Sequence, residues 1–151
     1  MFYTTLPSEI GKSGQYWHIV FSYTTQNPDN SMLFIRLRVG FSHEYVYSDG
    51  WADSSEGHAR KINFFNSTTS NEKINYYYGG STTITYKFYH YANNTYKAYE
   101  NGTLKYSGAD PIQLDTGDNM LTTYIAQDYT YTIQYHRIQE ITVSTDPTYD
   151  P

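Results

Sequence analysis

A chain of 151 residues with 19 tyrosines, 7 phenylalanines and 2 tryptophans has the length of one domain and the aromatic content to fill its core, which argues against disorder. Zero cysteine excludes disulfides, thiol catalysis and thiolate metal sites. A formal net charge of -5 and the lack of any long apolar run exclude an electrostatic footprint for duplex nucleic acid and insertion into a membrane as a helix.

Met1 is followed by neither a basic segment nor an apolar stretch, so no signal peptide is expected in this chain. Beyond it, period-two alternation dominates and helical periodicity is missing, which predicts strands. The first stripe is Trp17, Ile19, Phe21 and Tyr23, four odd positions on one strand face. After the turn chemistry of Asn27-Pro28-Asp29-Asn30, a second stripe runs through Leu33, Ile35, Leu37, Val39 and Phe41, with Arg36 and Arg38 facing away. Tyr45, Tyr47 and Trp51 lead into the longest polar loop, Asp49 to His58. Its carboxylates Asp49, Asp53 and Glu56 are candidate ligands for a structural calcium ion, which takes about six to eight oxygens. The EF-hand pattern is absent, and a solvated acidic loop is the competing reading.

Arg60 precedes a short stripe of Ile62 and Phe64, and Tyr76-Tyr77-Tyr78 runs up to Gly79-Gly80. Ile84, Tyr86 and Phe88 then open a meander: strand 84–91, a turn at Asn93-Asn94, strand 95–100, a turn at Asn101-Gly102 and strand 103–107. Asn-Gly suits a type I′ hairpin, whose two central residues both need positive φ. Tyr89 and Tyr91 fall on the face opposite Tyr86 and Phe88. Asp115 to Asn119 reads as a turn and as a weaker oxygen-rich candidate. Near the end the phase breaks around Ile138, which predicts a bulge, before Ile141 and Val143 complete the last strand. About ten short strands with regular turns predict a two-sheet antiparallel sandwich or jelly roll. The expected organisation is one all-β domain over 1–145 with an extended C-terminal tail over 146–151.

Two segments resemble the concanavalin A-like (laminin G-like) jelly-roll superfamily. Tyr96-Lys97-Ala98-Tyr99-Glu100-Asn101-Gly102-Thr103-Leu104 resembles its "lYvNG-l" hairpin, and Gly14-Gln15-Tyr16-Trp17-His18-Ile19-Val20-Phe21 resembles its tryptophan strand. The segment Ile138 to Ser144 is similar to the closing strand of polysaccharide-lyase-like members. The resemblance implies a sandwich with one concave sheet, often bearing a glycan groove and often a structural calcium ion. Members span lectins, carbohydrate-binding modules, glucanases, lyases and adhesive domains, and fold alone does not choose among them.

The residues narrow the choice. Glycoside hydrolysis needs two carboxylates about 5–10 Å apart. The superfamily's Glu-x-Asp-x-x-Glu string is absent, and Glu44, Glu100 and Glu140 lack acidic partners at strand spacing. A lyase needs a base and an acid beside a neutralised uronate; Arg60 with His58 and Tyr76 or Tyr78 is the one grouping on offer. Gly-x-Ser-x-Gly and His-Glu-x-x-His are missing, and the histidines at 18, 43, 58, 90 and 136 show no metal spacing. Glycan recognition, by contrast, needs exposed aromatic faces flanked by polar groups. Tyr45, Tyr47, Trp51, Arg60, Tyr76, Tyr78, Tyr89 and Tyr91 are the candidate ligand contacts.

The function expected is a non-catalytic glycan-binding or adhesive module, carrying its tyrosine and tryptophan face on an extracellular or virion surface. One alternative is a structural virion protein, such as a capsid decoration or fibre subunit, whose tyrosine face contacts other protein subunits and supports oligomerisation. A second is a polysaccharide lyase.

Overall fold

The alternating stripes become strands. The structure, a computed structural model, describes residues 2–6, 10, 14–26, 31–39, 43–53, 57–65, 70–77, 82–110, 119–127 and 135–148. Among these there is no helix, and the strands are β1 (Phe2–Thr5), β2 (Trp17–Gln26), β3 (Ser31–Val39), β4 (His43–Asp53), β5 (Gly57–Phe65), β6 (Ser70–Tyr77), β7 (Thr82–His90), β8 (Thr95–Glu100), β9 (Thr103–Ala109), β10 (Asn119–Gln127) and β11 (Tyr135–Ser144). They form a six-stranded sheet in the order β1-β10-β3-β4-β5-β6 and a five-stranded sheet in the order β11-β2-β7-β8-β9. Every pairing between neighbouring strands is antiparallel.

Register explains which residues meet. On the five-stranded sheet, Trp17, Ile19, Phe21 and Tyr23 stand opposite His90, Phe88, Tyr86 and Ile84. On the six-stranded sheet, Tyr45 and Tyr47 stand opposite Phe64 and Ile62. Cross-strand partners share a face, so both sets point into the space between the sheets. There they form one buried cluster with Ile35, Tyr96 and Ala98, against which Ile141 and Val143 pack. Ring contacts hold it together: Trp17 lies 5.2 Å from Tyr45 and 5.3 Å from Phe88, and Tyr47 lies 4.4 Å from Tyr86.

The meander forms as its turn residues require. Asn101 and Gly102 both take positive φ, 48° and 78°, as a type I′ turn demands, and Asn94 has φ 59°. Asn101 is also tied to β7, its Oδ1 accepting from the Thr85 N–H at 2.8 Å and its own N–H donating to the Thr85 carbonyl at 2.8 Å. The expected bulge is present as well. Ile138 pairs with Tyr23 and Glu140 with Ser22, so Gln139 is the extra residue. That single-residue shift leaves Ile141 opposite Phe21 and Val143 opposite Ile19, on the core side.

Two polar clasps cross the core. In the first, the Tyr23 hydroxyl meets the Tyr47 hydroxyl at 2.6 Å and donates to Asp49 Oδ2. Arg60 Nε donates to Asp49 at 3.3 Å, and Arg60 Nη1 donates to Glu100 Oε1 at 2.9 Å. Asp49 and Arg60 belong to the six-stranded sheet, Tyr23 and Glu100 to the other. In the second clasp, Tyr45 donates to Asp110 Oδ2 at 2.5 Å, and that oxygen also meets His90 Nε2 at 2.9 Å. His90 Nδ1 faces the Gln15 carbonyl at 2.8 Å while its ring stacks on Trp17 at 5.1 Å.

These clasps correct three expectations. Tyr45 and Tyr47 are 5% and 4% exposed, not open ligand contacts, because a tyrosine whose hydroxyl finds a buried partner can serve as core. Arg60 is 7% exposed and engaged between Asp49 and Glu100. Asp49 is 0% exposed and lies within β4 opposite Arg60, since β4 continues to Asp53 and β5 begins at Gly57. Its carboxylate is turned inward rather than toward an ion in a surface loop.

Candidate binding groove

The outer face of the five-stranded sheet carries the other half of each strand's alternation. One row across it reads Thr142, Val20, Lys87, Tyr99 and Leu104 from β11 to β9. The adjacent row reads Ser144, His18, Tyr89, Lys97 and Ser107. Tyr16 and Tyr91, just beyond the ends of β2 and β7, extend the array by one more step, with ring centres 6.0 Å apart.

Here the surface is concave. A groove of ≈ 520 Å³ is lined by Tyr16, Lys87, Tyr89, Tyr91, Tyr99, Gly102 and Pro147. That volume lies within the range of roughly 300–1,000 Å³ typical of small-ligand sites. Its four tyrosines are all half-buried, so each ring is partly fixed by neighbours and partly open. Tyr89 and Tyr91, two positions apart on one face, are stacked at 6.4 Å with an interplanar angle of 19°. Tyr99 stands edge-on to Tyr89 at 5.9 Å and 86°, giving the groove a wall beside a flat floor.

Beneath the rings, His18 is fully buried although it belongs to the outward set of β2. Tyr16 covers it, its hydroxyl 2.9 Å from His18 Nδ1, and Tyr89 packs on it at 5.6 Å. This anchoring fixes two of the four rings. The Lys97 ammonium sits 5.9 Å from the centre of the Tyr91 ring, within reach of a cation–π contact. Burial, with Tyr99 as a lesser contributor, raises the pKa of Tyr91, so its hydroxyl is neutral at neutral pH and able to donate a hydrogen bond. After β11 the chain turns through Asp146, whose Oδ1 accepts from Thr148 N and Oγ1 at 2.8 and 2.7 Å, and this turn brings Pro147 to the groove.

Of the residues chosen from sequence, the groove brings together Tyr89 and Tyr91. Tyr45, Tyr47 and Arg60 are inside the sandwich. Trp51 pairs with His58 in the β4–β5 ladder, and Tyr76 pairs with Ala59 rather than with His58 or Arg60. The Arg60 guanidinium is held by two carboxylates, Asp49 and Glu100. Asp53 pairs with Gly57, while Glu56 and Tyr78 lie outside the described residues. Among the described residues no three potential metal ligands gather.

Tyr16, Lys87 and Tyr99 were not foreseen. Lys87 and Tyr99 had a signal: each is out of phase with the apolar stripe of its strand, Lys87 between Tyr86 and Phe88, Tyr99 between Ala98 and Glu100. Tyr16 shares the phase of His18 but precedes the strand.

No family model matches the sequence, and no curated protein matches it. By structure the chain is similar to the CBM2 module of the evolved Dit of Lactobacillus casei BL23 phage J-1, with 7% identity and TM-score 0.69 over 93% of this chain and 66% of that one. It is also similar to the T. cruzi calreticulin globular domain, with 14% identity and TM-score 0.69 over 95% and 68% of the two chains. Sheep galectin-11, in complex with glycerol, matches with 10% identity and TM-score 0.58 over 95% and 96%. The chain thus spans about two thirds of the length of the first two structures. At such identities the likeness establishes the fold alone, a two-sheet antiparallel jelly-roll sandwich.

Proposed function

We propose that the chain is a non-catalytic glycan-binding module whose ligand lies in the groove of Tyr16, Tyr89, Tyr91 and Tyr99. The observation that carries this reading is the set of four half-buried rings in one open groove. The apolar C–H face of a pyranose packs on the Tyr89–Tyr91 floor, and the sugar hydroxyls bond to the phenols and Lys87 at its edges. Folded likeness to a CBM2 module and to a galectin holding the polyol glycerol supports the same choice. The engagement of Arg60 by Asp49 and Glu100 favours binding over elimination chemistry.

An extracellular or virion surface is the setting in which such a module meets polysaccharide. The likeness to a module of a phage protein favours one further reading, in which the tyrosine face docks on another virion subunit. A glycan array probed with the wild-type protein and with Tyr91→Ala, with and without calcium chelation, tests the proposal. Specific signals weakened in the variant support it; silence on the array, with the protein self-associating through Tyr91, would transfer the groove to subunit contact.

A further inference from the structure

One ring of the groove comes from outside the sheet ladder. The β2–β7 pairing begins with Trp17 opposite His90, so Tyr16 stands one residue before it, yet its ring centre lies 6.0 Å from that of Tyr91. Two side chains, one at the end of β7 and one in the turn after it, reach across to the residues beside Tyr16. The Gly14 N–H donates to Asn94 Oδ1 at 2.5 Å. His90 Nδ1 meets the Gln15 carbonyl at 2.8 Å and, since a carbonyl only accepts, donates to it. Both side chains are presented from fixed supports. The Asn94 N–H donates to the Tyr91 carbonyl at 2.9 Å, its own carbonyl accepts from the Asp110 N–H at 2.8 Å, and the Tyr91 N–H donates to the Thr95 carbonyl at 2.8 Å. Asn93 Oδ1 closes the same turn, accepting from Thr95 N and Oγ1 at 3.2 and 2.7 Å. His90 is fully buried, with Asp110 at 2.9 Å and the Trp17 ring stacked at 5.1 Å. The residue types suit the task. Gly14 has φ 71° and Asn94 φ 59°, a left-handed conformation that glycine adopts freely and asparagine better than most side chains. Glycine at 94 would keep the turn but bring no oxygen; asparagine supplies both.

Resting on the glycan reading above, we infer that Asn94 is a positioning residue of the groove, which sets affinity by holding segment 14–16 so that the Tyr16 ring stands against Tyr91. Asn94 is not among the residues that line the groove, so it acts through Tyr16 rather than on the sugar. His90 holds the same segment through Gln15, and the Tyr16 hydroxyl, 2.9 Å from His18 Nδ1, fixes the far end of the ring. A ring placed before the ligand arrives loses little freedom on binding, and the tether thereby converts a residue that precedes the ladder into a preorganised part of the site.

Asn94→Gly and Asn94→Asp separate the contact from the conformation, since both residues accept positive φ and only aspartate brings the acceptor. These variants, Tyr16→Ala and the double variant Asn94→Gly/Tyr16→Ala are compared with the wild-type protein in two measurements. The first is the proton NMR cross-peaks between the Tyr16 and Tyr91 rings in the ligand-free protein. The second is the affinity for the glycan bound most strongly on the array. Asn94→Asp should keep both. Asn94→Gly should lose the cross-peaks and bind about fivefold more weakly, the scale of one neutral hydrogen bond. Asn94→Gly should also add nothing to the loss in Tyr16→Ala, because the two changes act through one ring; a general loss of structure would add to it. Intact cross-peaks in Asn94→Gly would overturn the inference, as would the same loss of cross-peaks in Asn94→Asp. Cross-peaks lost at unchanged affinity, or additive losses in the double variant, would overturn it too. If no array glycan binds, the glycan reading falls, while the cross-peaks alone still decide whether Asn94 places Tyr16.

Discussion

Arg60 on β5 and Glu100 on β8 face each other across the sandwich and join its two sheets through a 2.9 Å hydrogen bond. Asp49 completes the cluster from β4, fully buried, so a single guanidinium serves two carboxylates. Burial works against the charge of Arg60, but Asp49 foremost and Glu100 with it more than offset this and hold its pKa above the ordinary value. Removing the guanidinium takes from the buried Asp49 and Glu100 the cation that both face. Arg60→Met is therefore expected to lower stability by about 3–5 kcal/mol, measured as the urea unfolding midpoint. If Arg60 instead contacted ligand, the variant would lose binding at unchanged stability.

The second clasp gives a smaller and separable effect. Tyr45→Phe removes the donor to Asp110 while leaving the aromatic packing on Trp17 and Phe64. It is expected to cost about 1–3 kcal/mol, the penalty for an acceptor left short of a partner in the interior. Thermal unfolding checks the cost, and ligand affinity should stay at the wild-type level.

Alkaline pH should unfold the protein through its interior tyrosines. Burial raises the pKa of Tyr23, Tyr45, Tyr47 and Tyr86 well above the ordinary 10.0, with lesser contributions from Asp49 for Tyr23, Asp110 for Tyr45, Tyr23 for Tyr47 and Tyr106 for Tyr86. A phenol with a raised folded pKa keeps its proton longer in the native state than in the unfolded chain. Its stabilisation is thus fully present below pH 10 and is lost as pH rises toward the folded value. Each such tyrosine contributes a slope of about 1.4 kcal/mol per pH unit above pH 10. Stability measured against pH should be flat in this respect up to pH 10 and then fall steeply, with the phenolate absorbance of these four tyrosines appearing together with unfolding. Gradual ionisation of all tyrosines near pH 10 with the fold intact would contradict the burial.

Much of the fold was legible because strand alternation is a direct consequence of a half-buried sheet. Trp17, Ile19, Phe21 and Tyr23 share the core face that their spacing implies, and the Asn101-Gly102 turn and the bulge after Ile138 follow from local chemistry. The site was legible only in part. Tyr89 and Tyr91 were placed by their phase against Tyr86 and Phe88, whereas Tyr45 and Tyr47 carry no such label. Phase says that two residues share a face, not which face is inside, and a tyrosine satisfies either environment if its hydroxyl is paired. The partners that decide the matter, Tyr23 for Tyr47 and Asp110 for Tyr45, lie 24 and 65 residues away in sequence. Pro147 joins the groove from the far end of the chain, a long-range contact that local pattern cannot announce.

The proposed glycan floor of Tyr89 and Tyr91 lies on the outer face of the five-stranded sheet. It is tested most directly by the affinity of the strongest array glycan for wild-type protein, Tyr91→Ala, Tyr99→Ala and Tyr45→Phe, each shown by circular dichroism to be folded. Loss of about tenfold in affinity for the two groove variants, near the contribution of one aromatic contact, with Tyr45→Phe unchanged, is the outcome predicted. Wild-type affinity in both groove variants, with binding abolished instead by Trp51→Ala on the other sheet, would contradict it.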